Sequence, residues 1–283
     1  MFDLLSDRLS QHLEQIVRER NPFFSSQGHF YVREYLRQEL GNWGKVESHF
    51  FPFQGKVYEN LILDLPNNSQ KPPILIGAHY DTVPGSPGAD DNATGLAVLL
   101  ELARFFGENQ ANYPIRLIAF DLEEYGLLGS IAYSEKLKQT KQDLRLMLSL
   151  EMLGYCDKNP HSQKYPAFLE YFYPNTGDFI ALIGNLKTRE DLKFLSRVMR
   201  ENQTPCEWLP VIFAGYIVPD TRRSDHSPFW SRGYSAIMVT DTANMRNPYY
   251  HSSQDTIATL DLNFLARVCQ GLCLGLQSLP MRY

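Results

Sequence analysis

Two histidines and a series of acids stand at the ends of apolar runs in this sequence. They are His79 and Asp81 in GAHYD, Asp90 and Asp91 in GADDNATG, Asp121, Glu123 and Glu124 in FDLEEYG, Glu151 in SLEMLGY, and His251 in YYHSSQD. Each has an ordinary explanation when taken alone. A histidine after a strand is more often packing than a ligand, and paired glutamates suit the positive end of a helix. The ADDN run would make a turn that caps the next helix. Together, however, they satisfy a coordination count. Zinc takes nitrogen and oxygen donors and, when catalytic, keeps a position open for water or substrate. Two ions that share one carboxylate, each with one histidine and one further carboxylate, require two histidines and three acids. One acid then remains to move protons, and the spacing His79-x-Asp81 offers a carboxylate to orient a ligand imidazole. The same donors suit manganese and cobalt.

Residues so far apart must be brought together by the elements that carry them. Short, branched, apolar runs at 60–65, 73–78, 115–120, 146–151, 179–184 and 236–240 read as strands. Between them, 93–106, 127–139, 188–202 and 261–277 read as helices, the first with Leu96, Leu99, Leu100, Ala103 and Phe106 on one stripe. Continuous apolar strands alternating with helices predict an α/β fold, a three-layer α/β/α sandwich around a mostly parallel mixed sheet. Ligands in such sheets sit beyond the carboxyl ends of the strands. His79, Asp81, Asp121, Glu123, Glu124 and Glu151 all fall there, and the strand at 236–240 leads towards His251. The aromatic and proline-rich segment 154–178 follows Glu151 directly and reads as a loop that walls the site. The chain 1–283 is expected to be one catalytic domain, with an N-terminal helical segment over 1–45 packed on it.

The bulk composition excludes some functions. A net charge of -5 lacks the basic surplus of a nucleic-acid binder. No run reaches the roughly 18 apolar residues of a membrane span. The first twenty residues form an amphipathic helix rather than a signal peptide, so a cytoplasmic location is expected. The four cysteines, Cys156, Cys206, Cys269 and Cys273, are too few and too scattered for a disulfide framework and read as small hydrophobes.

The ordered set GAHYDTVPGSPGADDNATG, FDLEEYGLLGS, SLEMLGY, SDHSPFW and YYHSSQDT resembles the M28 family of co-catalytic zinc peptidases, from about residue 60 to the C-terminus. The family includes leucine-preferring aminopeptidases and, more distantly, the glutaminyl cyclases. The resemblance implies two zinc ions, with His79 and Glu151 on one, Glu124 and His251 on the other, and Asp91 bridging them. It also implies a cis peptide at Asp91–Asn92, Asp81 behind His79, and Glu123 as the general base. A hydroxide between the ions would attack the peptide carbonyl, and Tyr250 resembles a family tyrosine that donates to the oxyanion.

One position departs from the family pattern. Many of its aminopeptidases carry Asp where this chain has Glu151, a choice linked in related enzymes to amino- or carboxyl-terminal specificity. The expectation is therefore a zinc-dependent exopeptidase acting on peptides, first an aminopeptidase. A carboxypeptidase or dipeptidase of the same fold, or a glutaminyl-peptide cyclase, is the alternative. Asp225 and His226 are expected near the site without binding metal. Arg222 and Arg223 would meet a substrate carboxylate or remain solvated, and His12, His29, His49 and His161 have no ligand-like context.

Overall fold

The computed structural model describes residues 2–67, 69–166 and 168–281, with side chains from residue 4 onward. Two helices come first, α1 (Phe2–Ile16) and α2 (Ser26–Gly41), and then the hairpin of β1 (Val46–Phe53) and β2 (Lys56–Asp64). Next come β3 (Ile74–His79), α3 (Gly95–Glu108), β4 (Ile115–Phe120), α4 (Leu128–Gln139) and β5 (Leu146–Glu151). The chain continues through β6 (Ile180–Asn185), α5 (Arg189–Glu201), β7 (Cys206–Val211), α6 (Ser227–Ser231), β8 (Ala236–Thr240) and α7 (Leu262–Gln277). The eight strands form one sheet in the order β1-β2-β4-β3-β5-β8-β6-β7. The central four, β4, β3, β5 and β8, run parallel. Antiparallel pairing begins on either side, at β2 with β4 and at β6 with β8.

Both faces of the central strands are buried, and residue parity decides which core each side chain joins. Ile74, Ile76, Leu146, Leu148, Leu117 and Ile237 pack with helices α1, α2, α3, α5 and α7. Their neighbours Leu75, Met147, Ile118 and Phe120 pack instead with Tyr133 and Leu137 of α4 and Phe229 and Trp230 of α6. The result is the expected three-layer sandwich. The N-terminal helices belong to the first core, through Leu9, Leu13, Ile16, Val32, Leu36 and Leu40. Cys269 and Cys273 lie in the same core, without a disulfide.

Two strands went unforeseen. β1 is an edge strand whose partner β2 covers only one side of it, and in its half-exposed VESHFFPF the apolar run comes only at the end and includes a proline. At the other edge, β7 contains a proline, which ordinarily argues against a strand and is tolerated there. The first helix also ends early, at Ile16, so that residues 17–21 are free to cross the sheet edge near the site.

Gly77 of β3 sits on the α4 side, where a Cβ would lie 2.4 Å from Phe120 Cε2 and 2.9 Å from Ile118 Cγ2. Gly77→Ala is therefore expected to destabilise the protein by about 1–3 kcal/mol, since overpacking a closed core forces its neighbours off their rotamers. Urea midpoints unchanged from the wild type would refute that reading.

Candidate active site

The parallel strands deliver their last residues to one edge. His79 closes β3, Glu151 closes β5, and Glu123 and Glu124 lie in the turn after β4. Asp91 sits in a kinked helical turn before α3, where the Asp91–Asn92 peptide is cis. His251 lies beyond β8 with a left-handed φ of 56°. Asp91 stands between the two imidazoles. Its Oδ1 is 3.2 Å from His79 Nε2, and its Oδ2 is 3.1 Å from His251 Nε2. Glu124 Oε2 lies 3.2 Å from His251 Nε2, and Glu151 Oε1 lies 3.7 Å from His79 Nε2. The donor atoms of His79, Glu123 and Glu151 lie within 4.8 Å of one another, as do those of His79, Asp91 and Glu124.

This donor set fits a metal better than it fits hydrogen bonding. His79 Nε2, Asp91 Oδ1 and Glu124 Oε1 are buried polar atoms with no hydrogen-bond partner, which is costly unless something else satisfies them. The charges point the same way. Burial, with nearby Asp91, pushes Glu124 up to about 7. Burial also drives Glu123 well above the carboxylate range; His79 partly offsets this, and Glu151 and Glu124 add to it. Asp91 resists its own burial and stays low, because His251 and His79 favour its charged form. Acids crowded until they resist ionising are relieved by cations.

Backbone clamps hold each residue in place. The Asp81 carboxylate accepts the amide N–H of Glu123 at 3.0 Å and of Glu124 at 3.1 Å, fixing the turn that presents both glutamates. His79 Nδ1 hydrogen-bonds the Asp81 main-chain oxygen at 3.2 Å, with Asp81 Oδ1 at 3.6 Å. Asp81 therefore serves the glutamate turn as much as the histidine. Asn92 donates to the Leu150 carbonyl at 2.8 Å, tying the Asp91 loop to the end of β5. Ser224 donates to Glu151 Oε2 at 2.7 Å. Asp90 turns away from the histidines and accepts from the Gly154 amide at 2.9 Å and from Asn247 at 2.7 Å.

Sequence reasoning missed several of these supports. Asp255 lies inside the quoted YYHSSQDT motif, yet its role as acceptor for two loop amides appears only in three dimensions. Arg20 and Asn21 come from the N-terminal segment. Arg20 is fully buried behind the Asp91 loop, and burial lowers its pKa to about 10, partly offset by Asp91 and Asp255. Asn21 donates to the Thr82 carbonyl at 2.7 Å. His29, set aside on sequence grounds, braces Asp121 at 2.8 Å. An isolated Arg or His in a polar stretch carries no local signal for such contacts.

Beside Glu151 opens a cleft of about 860 Å³, its mouth included. Tyr165, Leu169 and Tyr173 of the 154–178 segment wall it, opposite Leu209, Met238 and Tyr250. Tyr250 stacks on His251 at 3.7 Å, and its hydroxyl accepts from Arg223 at 3.1 Å. Arg223 also lines this cleft, whereas Arg222 lies over Tyr216 and bonds Ser231. Asp225 is buried near Glu123 and Glu151, and burial lifts its carboxyl to about 7.

His226 is wholly buried, with Nε2 donating to the Thr221 carbonyl at 2.8 Å and the ring edge-on to Trp230. Burial lowers its pKa from 6.5 to about 3, so it stays neutral in the fold. The unfolded chain takes up that proton near pH 6.5, so stability is full above that value and declines as the pH falls towards 3. His226→Gln is expected to flatten the decline in guanidinium midpoints between about pH 7 and pH 4. Wild-type and variant curves that stay parallel would count against it.

Comparison with known proteins gives this geometry its context. The sequence model of peptidase family M28 matches residues 60–274. The chain belongs to peptidase family M28. This M28 peptidase is 34% identical over 254 residues to the uncharacterized protein YfbL of Escherichia coli K12, a match spanning 84% of this chain and 77% of that one. A zinc aminopeptidase from Bacillus subtilis of known structure is 26% identical, with a TM-score of 0.59, over 79% of this chain and 50% of the other. A glutaminyl cyclase from Bacteroides thetaiotaomicron shares the fold at a TM-score of 0.70 and 19% identity, over 99% of this chain and 98% of that one. The family and the zinc aminopeptidase support zinc as the metal. Among the described residues, no helix is long and apolar enough to cross a membrane.

Proposed function

We propose that this chain is a two-zinc aminopeptidase, a single catalytic unit that includes its N-terminal helices. One observation carries the reading: the two Asp91 oxygens face His79 and His251 at 3.2 and 3.1 Å, with Glu151 and Glu124 on the outer sides. Asp91 would then be the shared ligand, with His79 and Glu151 completing one site and Glu124 and His251 the other. Bound zinc supplies acidification of water and polarisation of the scissile carbonyl.

The chain's own residues do the rest. Glu123 takes a proton from the attacking water onto its carboxylate and returns it to the leaving amine nitrogen. Its burial supports this role, because burial raises the carboxyl well above its ordinary range and so favours its taking up a proton. Tyr250 remains a phenol, since burial and the surrounding carboxylates hold its pKa far above the ordinary value. With Arg223 donating to its oxygen, its own proton is available to the developing oxyanion. The cleft beside Glu151 is walled by apolar side chains that would accept the side chain of the terminal residue.

A digest of free and N-acetylated peptides, read by mass spectrometry with one peptide beginning in Gln, tests the reading. Stepwise loss of N-terminal residues from the free peptides alone is expected, abolished by chelation, with about two zinc ions per chain. Loss of C-terminal residues from the blocked peptides would replace it with a carboxypeptidase. Closure of the N-terminal Gln with one zinc ion would replace it with a cyclase.

A further inference from the structure

Arg20 lies between α1 and α2, ahead of the segment 60–274 that defines the family. Its guanidinium is 0% exposed and directs its donors to main-chain oxygens. Nη1 reaches Pro87 O at 2.8 Å and Arg18 O at 3.2 Å, and Nη2 reaches Gly88 O at 2.9 Å and Asp91 O at 3.3 Å. From the opposite side, the Asp255 carboxylate accepts the amides of Asp90 at 2.9 Å and of Asp91 at 3.1 Å. The loop's carbonyls are thus gripped by a cation and its amides by an anion. Gly88 is shaped for this grip, since a Cβ there would lie 2.3 Å from Asp91 O and 2.9 Å from Arg20 Nη2. Burying a guanidinium that bonds only carbonyls is expensive, so its position calls for a role.

We propose that Arg20 is a positioning residue that sets how tightly the His79–Asp91–His251 centre holds zinc. The proposal rests on the two-zinc reading above. Two effects of the guanidinium oppose each other. Its charge repels dications, whereas its planar fork fixes the Asp91 backbone so that both carboxylate oxygens point between the histidines. The fork dominates, because a displaced Asp91 withdraws the shared ligand from both ions at once. The repulsion acts at longer range and is offset by the nearby acids Asp91, Asp255 and Asp81.

Arg20→Lys and Arg20→Met separate the two effects, since lysine keeps the charge and loses the fork. Zinc affinity is measured by competition with a chromophoric chelator, on protein shown to be folded by circular dichroism. Both variants, and Asp255→Asn from the other half of the grip, are expected to bind zinc about 10–100-fold more weakly. Tighter binding by Arg20→Met with wild-type affinity in Arg20→Lys would assign a charge effect and overturn the proposal. Lower thermal stability with zinc affinity within about twofold of wild type would make Arg20 purely structural and overturn it as well. Should Arg20→Met fail to fold, Arg20→Lys and Asp255→Asn give the same readout. Failure of the wild type to take up zinc is a separate result, and it would sink the two-zinc reading beneath.

Discussion

Glu123→Gln is expected to lower kcat by about 10²–10⁴-fold while zinc content, fold and KM stay close to wild type. Glutamine keeps the shape of the side chain and can still meet a water, but it cannot accept the proton. The turn that presents residue 123 would persist, because Asp81 grips its backbone amide and not its side chain. A loss confined to kcat is the signature of an interaction made only as the proton moves. A variant that instead loses zinc would recast Glu123 as a metal ligand, an assignment its grouping with His79 and Glu151 makes worth testing. Metal analysis alongside steady-state kinetics distinguishes the outcomes.

Asp91→Ala is expected to reduce zinc from about two ions per chain to at most one, and to abolish turnover. Among the described carboxylates, Asp91 alone pairs with both His79 and His251; Glu124 pairs with His251 at 3.2 Å and only approaches His79 within 4.8 Å. Removing this acid also ends one of the two contacts that raise the His251 pKa, which Asp91 and Glu124 together lift to about 10 against the effect of burial. Chelation of the wild type should destabilise it in parallel. At zinc a hundredfold above its dissociation constant, binding is worth roughly 2.7 kcal/mol. At this size that corresponds to several degrees in the melting temperature. An Asp91→Ala protein whose melting temperature still rises with zinc as the wild type's does would place the metal elsewhere.

The supporting residues show where reading a sequence stops. His79 and Glu151 were legible as candidates because they end apolar runs, and a parallel sheet presents its strand ends on one side. The core stripe of α3 was equally legible, since a period of 3.6 is written locally, and the unbroken apolar runs of β3 and β5 marked strands buried on both faces. The edge strands β1 and β7 were not, because each carries a proline within its short apolar stretch, which argues against a strand everywhere but at an edge.

The sequence by itself determined the fold class, the family resemblance and the inventory of donors, for each depends on residue type, order and short-range period. Tertiary structure alone supplied the physical reason that Asp91, the acid named by the family resemblance, stands between the histidines. Asp90 and Asp91 are chemically alike and adjacent, and it is the kinked turn that sends one to Gly154 and Asn247 and the other to His79 and His251. It alone also revealed the grip of Arg20 and Asp255 on that turn, from opposite ends of the chain. Such contacts depend on where the backbone passes after collapse, and no local pattern encodes that.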